Sequence, residues 1–304
     1  MSRLAVVIVS WNVRELLASC LRSLFADLKQ SALAADVWVV DNASTDGTAE
    51  LVANAFPEVR LIASDENLGF AAGNNRALRA ILRHPNPFSA VWLLNPDTVV
   101  KAGATRSLLA ALETRVSVAV VGAKLIYPDG LLQHGAFRFP GLSQLAFELF
   151  PLPPRLYSTP LNGRYPRRLY DGGNPFPIDH PLGASMMVRA DTIDQVGLLD
   201  EAYHLYCEEI DWCWRMRRAG WKAVCVPAAV VVHHAGQSTS QVPVSSFVNL
   251  WRSRARLYAR HHGALTWRAA RGMVRLGMRR RMRRASPEVA RACRDVIQAW
   301  EDAR

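Results

Sequence analysis

At 304 residues, half of them apolar, the chain is long enough to bury the core of a large α/β domain with an appendage, and its composition excludes a disordered or low-complexity protein. Residues 250–284 hold twelve arginines and no Asp or Glu, against a formal charge of +11 for the whole chain, so the body of the protein is near neutral and the basic character belongs to one C-terminal segment. Five cysteines (Cys20, Cys207, Cys213, Cys225, Cys293) form no C-x-x-C pair, which argues against a disulfide framework or a structural zinc site and fits a reducing cytoplasm.

The first apolar run, LAVVIV, is six residues long, far short of a membrane span or a signal-peptide core, and no later run reaches spanning length. In chain order, β-rich runs then alternate with helical patterns: LAVVIV, RELLASCLRSLF, VWVVD, TAELVANAF, VRLIA, AAGNNRALRAIL and AVWLLN. This alternation predicts right-handed βαβ units and a mostly parallel sheet covered by helices on both faces. Ligands of such sheets sit beyond the carboxyl ends of the strands. The polar residues there are Ser10 to Asn12, Asp41 to Asn42, and Asn95 to Asp97.

Residues 138–181 carry nine of the seventeen prolines without periodicity and are expected to form a long irregular excursion over a site or partner surface. Order is expected to return with a strand at ASMMVRA, a helix bearing the acidic stretch LYCEEIDWCW, and two strands, KAVCVP and AVVVHH. The basic tail begins near Val248 as a helical pattern. The expected division is a catalytic domain over 1–240 and a basic helical extension over 241–304.

The turn after the first strand, SWNVRE, lacks glycine, so a dinucleotide pyrophosphate has no helix N-terminus to lie against in the usual way. Neither G-x-x-x-x-G-K-[ST] nor G-x-S-x-G occurs, which removes P-loop and serine-hydrolase chemistry. The charge of a bound nucleotide diphosphate must then be met by a metal or by side chains. Asp97, in LLNPDTVV, closes a buried strand and is a candidate; Asn-Pro-Asp is also an ordinary turn sequence. His233 ends another apolar run and could join it, although a histidine there is more often a satisfied core or turn residue. In LYCEEIDWCW three carboxylates crowd among aromatics. They suit the first turn of a helix, and crowding with desolvation also turns a carboxylate into a base.

Together VVIVSWN, VVDNASTDGT, ENLGFAAGNN, LLNPDTVV, LGASMMVRAD, VGLLDEAYHLYCEEIDWCWRMRRAGW and VPAAVVVHHAG resemble, in order over roughly residues 4–236, glycosyltransferase family 2, the inverting enzymes of GT-A fold, and especially its rhamnosyltransferase-like members. The resemblance implies that Asp41 contacts the base or ribose of the donor nucleotide, with Ser10, Trp11 and Asn12 in the same pocket and Asn67, Gly69, Gly73 and Asn75 beside it. Asn95 and Asp97 stand where the family has D-x-D, with Asn95 replacing the first carboxylate. Asp97 and His233, two diphosphate oxygens and water would complete an octahedral Mg²⁺ or Mn²⁺ shell. Glu209 takes the place of the family's general base, with Glu208 and Asp211 orienting the acceptor or supporting the helix. Trp212 and Trp214 divide between core and acceptor platform.

From Trp267 to Arg284, Trp267, Ala270, Val274, Met278 and Met282 share a helical face flanked by arginines, which suggests an in-plane membrane helix, or a helix packed on the catalytic domain with a solvated arginine face. The function expected is transfer of a sugar, dTDP-rhamnose being the favoured donor, to a lipid-linked saccharide in cell-envelope polysaccharide synthesis, at the cytoplasmic face of an anionic membrane and without nucleic acid. The rival readings are a nucleotidyltransferase, which would need a glycine- and lysine-rich phosphate loop, and a non-enzymatic nucleic-acid-binding protein, which would leave the acidic motif idle.

Overall fold

The computed structural model describes residues 3–237 and 241–303. The N-terminal half alternates as the patterning predicts: β1 (Leu4–Ser10), α1 (Arg14–Gln30), β2 (Ala35–Asn42), α2 (Thr48–Ala55), β3 (Arg60–Ser64), α3 (Gly69–Leu82) and β4 (Ala90–Leu94). Then come β5 (Thr98–Val100), α4 (Ala104–Glu113), β6 (Val118–Ile126), β7 (Leu132–Gln133) and β8 (Ala136–Phe137). The proline-rich excursion holds α5 (Leu142–Leu149), α6 (Arg167–Asp171), β9 (Phe176–Ile178) and β10 (His180–Pro181). It leads to β11 (Ser185–Arg189), α7 (Ala190–Val196), α8 (Glu208–Arg218) and β12 (Lys222–His233), and the chain closes with α9 (Pro243–His261), α10 (Ala264–Met282) and α11 (Pro287–Asp302).

The sheet runs β3-β2-β1-β4-β11-β6-β12-β5. β1 to β4 are parallel, and β12 is parallel to β6, but β11 lies antiparallel between β4 and β6. An apolar run such as SMMVR specifies a buried strand, and its direction is set by the connections around it. Alternation in β1 sends Leu4, Val6 and Ile8 into one core with α1 and α4, and Ala5 and Val7 into the other with α3 and α8. KAVCVP and AVVVHH are one strand, β12, whose register jumps between Val226 and Val230. Pro227, which has no N–H for the ladder, sits in that bulge.

The tail has a third core of its own. Trp251 and Tyr258 of α9, Trp267, Ala270, Val274 and Met278 of α10, and Val296 and Trp300 of α11 pack together with Leu145 of α5. Trp267 stacks on Trp300 at 5.3 Å between centroids. The face Trp267–Ala270–Val274–Met278, expected to enter a membrane, is therefore covered by protein, and Met282 is half-buried. Periodicity shows that a helix has an apolar face; it carries no information on whether lipid or protein covers it. The tail's helical pattern begins at Pro243, suited to the first turn of a helix, and not near Val248. The division expected between 240 and 241 abuts residues 238–240, outside the described residues.

Candidate active site

A cavity of about 390 Å³ opens at the carboxyl ends of β1, β2, β4 and β12 and collects Ser10, Trp11, Asn67, Gly69, Asn95, Asp97, Glu208, Glu209 and His233. A larger cavity, about 710 Å³, lies where β12 begins and contains none of the sequence-flagged residues. Chemistry points to the smaller one.

At the β1–β2 end of the cavity, Ser10 and Asp41 are register partners on adjacent parallel strands, and each leaves a buried oxygen, Ser10 Oγ and Asp41 Oδ1, without a hydrogen-bond partner. An unpaired buried acceptor costs roughly 1–3 kcal/mol, so this pair favours a ligand that brings N–H or O–H groups. Asp41 stands behind the wall and does not line the cavity. Asn42 does; its Nδ2 donates to Asn67 Oδ1 at 2.8 Å and its Oδ1 accepts from Leu68 N at 3.0 Å, fixing the start of α3. Gly69 has φ +77°, and a Cβ there would lie 2.1 Å from His204 O, so only glycine lets α3 approach that loop.

Three expected donor contacts are structural instead. Asn12 accepts from Thr45 N at 2.8 Å and its own N–H donates to Ser44 Oγ at 3.0 Å, stitching two loops together. Gly73 faces Val9, whose Cγ1 would be 2.9 Å from an added Cβ: its smallness serves helix-to-strand packing. Asn75 donates to Leu199 O at 2.8 Å and Glu201 Oε1 at 2.9 Å, clipping α3 to the 199–201 turn. A motif match gives a position in the chain, while helical rotation decides which positions face the ligand.

Asp97 Oδ1 and His233 Nε2 lie 3.3 Å apart, both buried. Adjacent corners of an octahedron with arms near 2.1 Å are about 3 Å apart, so the pair fits two neighbouring positions of a Mg²⁺ or Mn²⁺ shell. Gln133 Oε1 lies 2.8 Å from His233 Nδ1 and suits a proton on that nitrogen, an arrangement that turns Nε2 toward Asp97 as a metal-ligating histidine requires. Among the described residues no group of three or more His, Cys, Asp or Glu converges on a metal position. The remaining ligands would have to come from donor and water, as expected with Asn95 in place of a carboxylate.

Tyr206 and Cys207 both adopt left-handed backbone, φ +72° and +70°, and swing the chain so that Glu208 and Glu209 begin α8 against the cavity. Burial pushes the Glu209 carboxyl up to about 7. Glu208, buried beside it, is raised well above the carboxylate range by burial and then by the Glu209 charge, and its Oε2 has no partner. Two buried carboxyls side by side favour a shared proton near neutral pH, and Glu209, raised to about 7 by burial, is placed to accept one.

Asp211 is turned away from the cavity. It pairs with Arg215 Nε at 2.8 Å and His261 Nε2 at 2.7 Å, so it supports the helix and does not orient an acceptor. Trp212 is core, its Nε1 donating to Gly197 O at 2.8 Å, and Trp214 is sandwiched between Phe139 and His261. Neither indole lines the cavity. The sequence reading missed Gln133, which supports His233, and, on the cavity wall, His204, Val242 just before α9, and Ser245 and Asn249 of α9. The last three lie beyond every recognised motif.

A mixed α/β sheet whose strand ends carry a cavity that gathers an Asp–His pair and a buried carboxylate is the arrangement of a GT-A-type glycosyltransferase. Residues 5–190 match the family described as Glycosyl transferase family 2, and the chain belongs to that family. It is 30% identical over 241 residues to N-acetylglucosaminyl-diphospho-decaprenol L-rhamnosyltransferase of Mycobacterium tuberculosis, covering 77% of each chain. Among solved structures, GalNAc-T7 with UDP, GalNAc and Mn²⁺ aligns with TM-score 0.60 and 14% identity over 99% of this chain, which spans 56% of that one. Mannosyltransferase PcManGT from Pyrobaculum calidifontis, in complex with GDP-Man and Mn²⁺, aligns with TM-score 0.55 and 15% identity over 99% of this chain and 73% of its own. At these identities the structural likeness speaks to the fold.

Proposed function

We propose that this chain is an inverting, metal-dependent hexosyltransferase that moves rhamnose from dTDP-rhamnose to a lipid-linked saccharide in cell-envelope polysaccharide synthesis. The observation that carries the chemistry is Glu209, its carboxyl raised to about 7, opening into the cavity that also holds Asp97 and His233. Rhamnose and the lipid-linked acceptor are favoured by the name of the mycobacterial relative.

In this reading Ser10, Trp11 and Asn42, backed by Asp41, hold the nucleoside, and the acceptor lies against Tyr206, Ser245 and Asn249. Glu209 takes the proton of the acceptor hydroxyl as its oxygen attacks the anomeric carbon; the nucleotide diphosphate leaves from the opposite face, which inverts the centre without a covalent enzyme intermediate. Mg²⁺ or Mn²⁺, held by Asp97 and His233, would neutralise the diphosphate charge. Residues 1–240 supply the donor side, the Asp97–His233 pair and Glu209, while the helical extension 241–304 completes the acceptor side of the same unit and meets the inner face of the cytoplasmic membrane.

The test is transfer from dTDP-rhamnose to an N-acetylglucosaminyl-diphospho-lipid, with and without Mn²⁺, and the product's anomeric configuration by NMR. Inversion and loss with chelator are expected. Retention of configuration would sink the role of Glu209, and transfer from a UDP- or GDP-sugar alone would sink the donor assignment.

A further inference from the structure

With Trp267, Ala270, Val274 and Met278 buried, α10 turns another face to solvent. Leu265, Ala269, Gly272 and Leu276, spaced i, i+4, i+7, i+11, form a continuous outward stripe. Leu265 is 81% exposed and Leu276 61%, two of the most exposed large apolar side chains in the protein, about three helical turns apart. Arg268, Arg275 and Arg279 flank the stripe on one side and Arg280 on the other. None of these four forms an ion pair among the described residues, whereas Arg254, Arg256 and Arg260 of α9 are all paired with acids. Beside the stripe, Arg268, Arg271 and Arg275 line a cavity of about 240 Å³ with Trp300 of α11, Glu301 the one acid on its wall.

We infer that this outward face of α10 docks on an anionic lipid surface, Leu265 and Leu276 entering the headgroup layer while the arginine rows take lipid phosphates. Charge complementarity selects the occupant: an unpaired cationic row calls for a polyanion, and two leucines at the centre of that row gain nothing from a nucleic-acid backbone but are buried by lipid. The placement is consistent with catalysis, because α9, whose start lines the active cavity, turns directly into α10 at Gly263. This deepens the reading that the acceptor is lipid-linked and rests on it; the test below needs neither donor nor acceptor, so the two can fail separately.

Full-length protein is sedimented with phosphatidylglycerol-containing vesicles and with neutral phosphatidylcholine vesicles at low and high salt. The wild type is expected to bind the anionic vesicles, with salt weakening but not abolishing binding. Leu265→Glu with Leu276→Glu should weaken it at least roughly tenfold at unchanged melting temperature, since both side chains are exposed. Arg268→Glu, Arg275→Glu and Arg279→Glu together should remove it. Wild-type binding by the leucine variant, absence of binding by the wild type at low salt, or duplex DNA binding that exceeds vesicle binding would each overturn the assignment. Transfer to a water-soluble acceptor saccharide by the leucine variant should equal wild type; if the wild type transfers to no acceptor, the transferase reading fails whatever the vesicles show.

Discussion

Asp211 Oδ1 lies 2.7 Å from His261 Nε2, with both side chains fully buried, and this contact fastens the helix that carries the carboxylate pair to the helix that forms the far wall of the cavity. Burial pushes the Asp211 carboxyl up, but hydrogen bonds from His261 and Arg215, aided by Arg260, outweigh it and hold the group below its ordinary range. Asp211→Ala strands the partly buried Arg215 and should destabilise the fold by about 3–5 kcal/mol. His261→Gln should cost nearer 1 kcal/mol. Urea unfolding checks the order; equal, negligible costs would mean that α9 is positioned by its apolar contacts alone.

Glu209→Gln should leave donor affinity intact and lower turnover about a hundredfold or more, with Glu208→Gln less damaging. A reversed order would transfer the role of base to Glu208. Turnover of the wild type should rise as pH passes through about 7, where Glu209 ionises, and fall below it.

The same shift has a stability consequence of definite sign. Glu209 is raised from 4.5 to about 7 and Glu208 is also raised well above its ordinary value, so the folded state binds more protons than the unfolded one across that window. The Glu209 contribution is fully present below about 4.5 and is lost as pH rises through about 7, and that of Glu208 falls in the same direction. The double variant Glu208→Gln, Glu209→Gln should therefore show a flatter stability profile between pH 5 and 8. An unchanged slope in thermal melts would count against buried ionisable carboxyls.

Asp97→Ala should abolish Mn²⁺-dependent donor binding. Gln133→Ala, which touches neither donor nor metal, should weaken apparent Mn²⁺ affinity by roughly 10- to 100-fold by freeing the His233 ring to change tautomer. Isothermal titration of Mn²⁺ with donor nucleotide present reads both; donor affinity indifferent to Asp97→Ala and to chelator would remove the metal from the site.

Deleting residues 264–304 should not leave an intact catalytic unit, because Trp251 and Tyr258 of α9 and Leu145 of α5 lose the cover of Trp267 and Trp300. The truncated chain should melt well below the full-length protein and bind a hydrophobic dye. An unchanged melting temperature would show that the three cores are energetically independent.

The order of strands and helices from β1 to β4 was legible in the sequence because alternating burial leaves a period of two in strands and a longer one in helices. The polar residues that end those strands and the Glu-Glu pair were legible too, as interruptions of apolar patterning in known places. Which of them meet was decided by tertiary structure. Asn12, Gly73 and Asn75 lie in motifs with residues that line the cavity, yet rotation about α3 and the geometry of the 44–45 loop turn them to packing and stitching. The antiparallel direction of β11, the bulge at Pro227 and the support of His233 by Gln133, a hundred residues away in sequence, all depend on where long connections return. The tail shows the reason most plainly. Its sequence contains two apolar faces, Trp267 to Met278 and Leu265 to Leu276, and only the positions of α5, α9 and α11 decide that the first becomes core and the second stays outside.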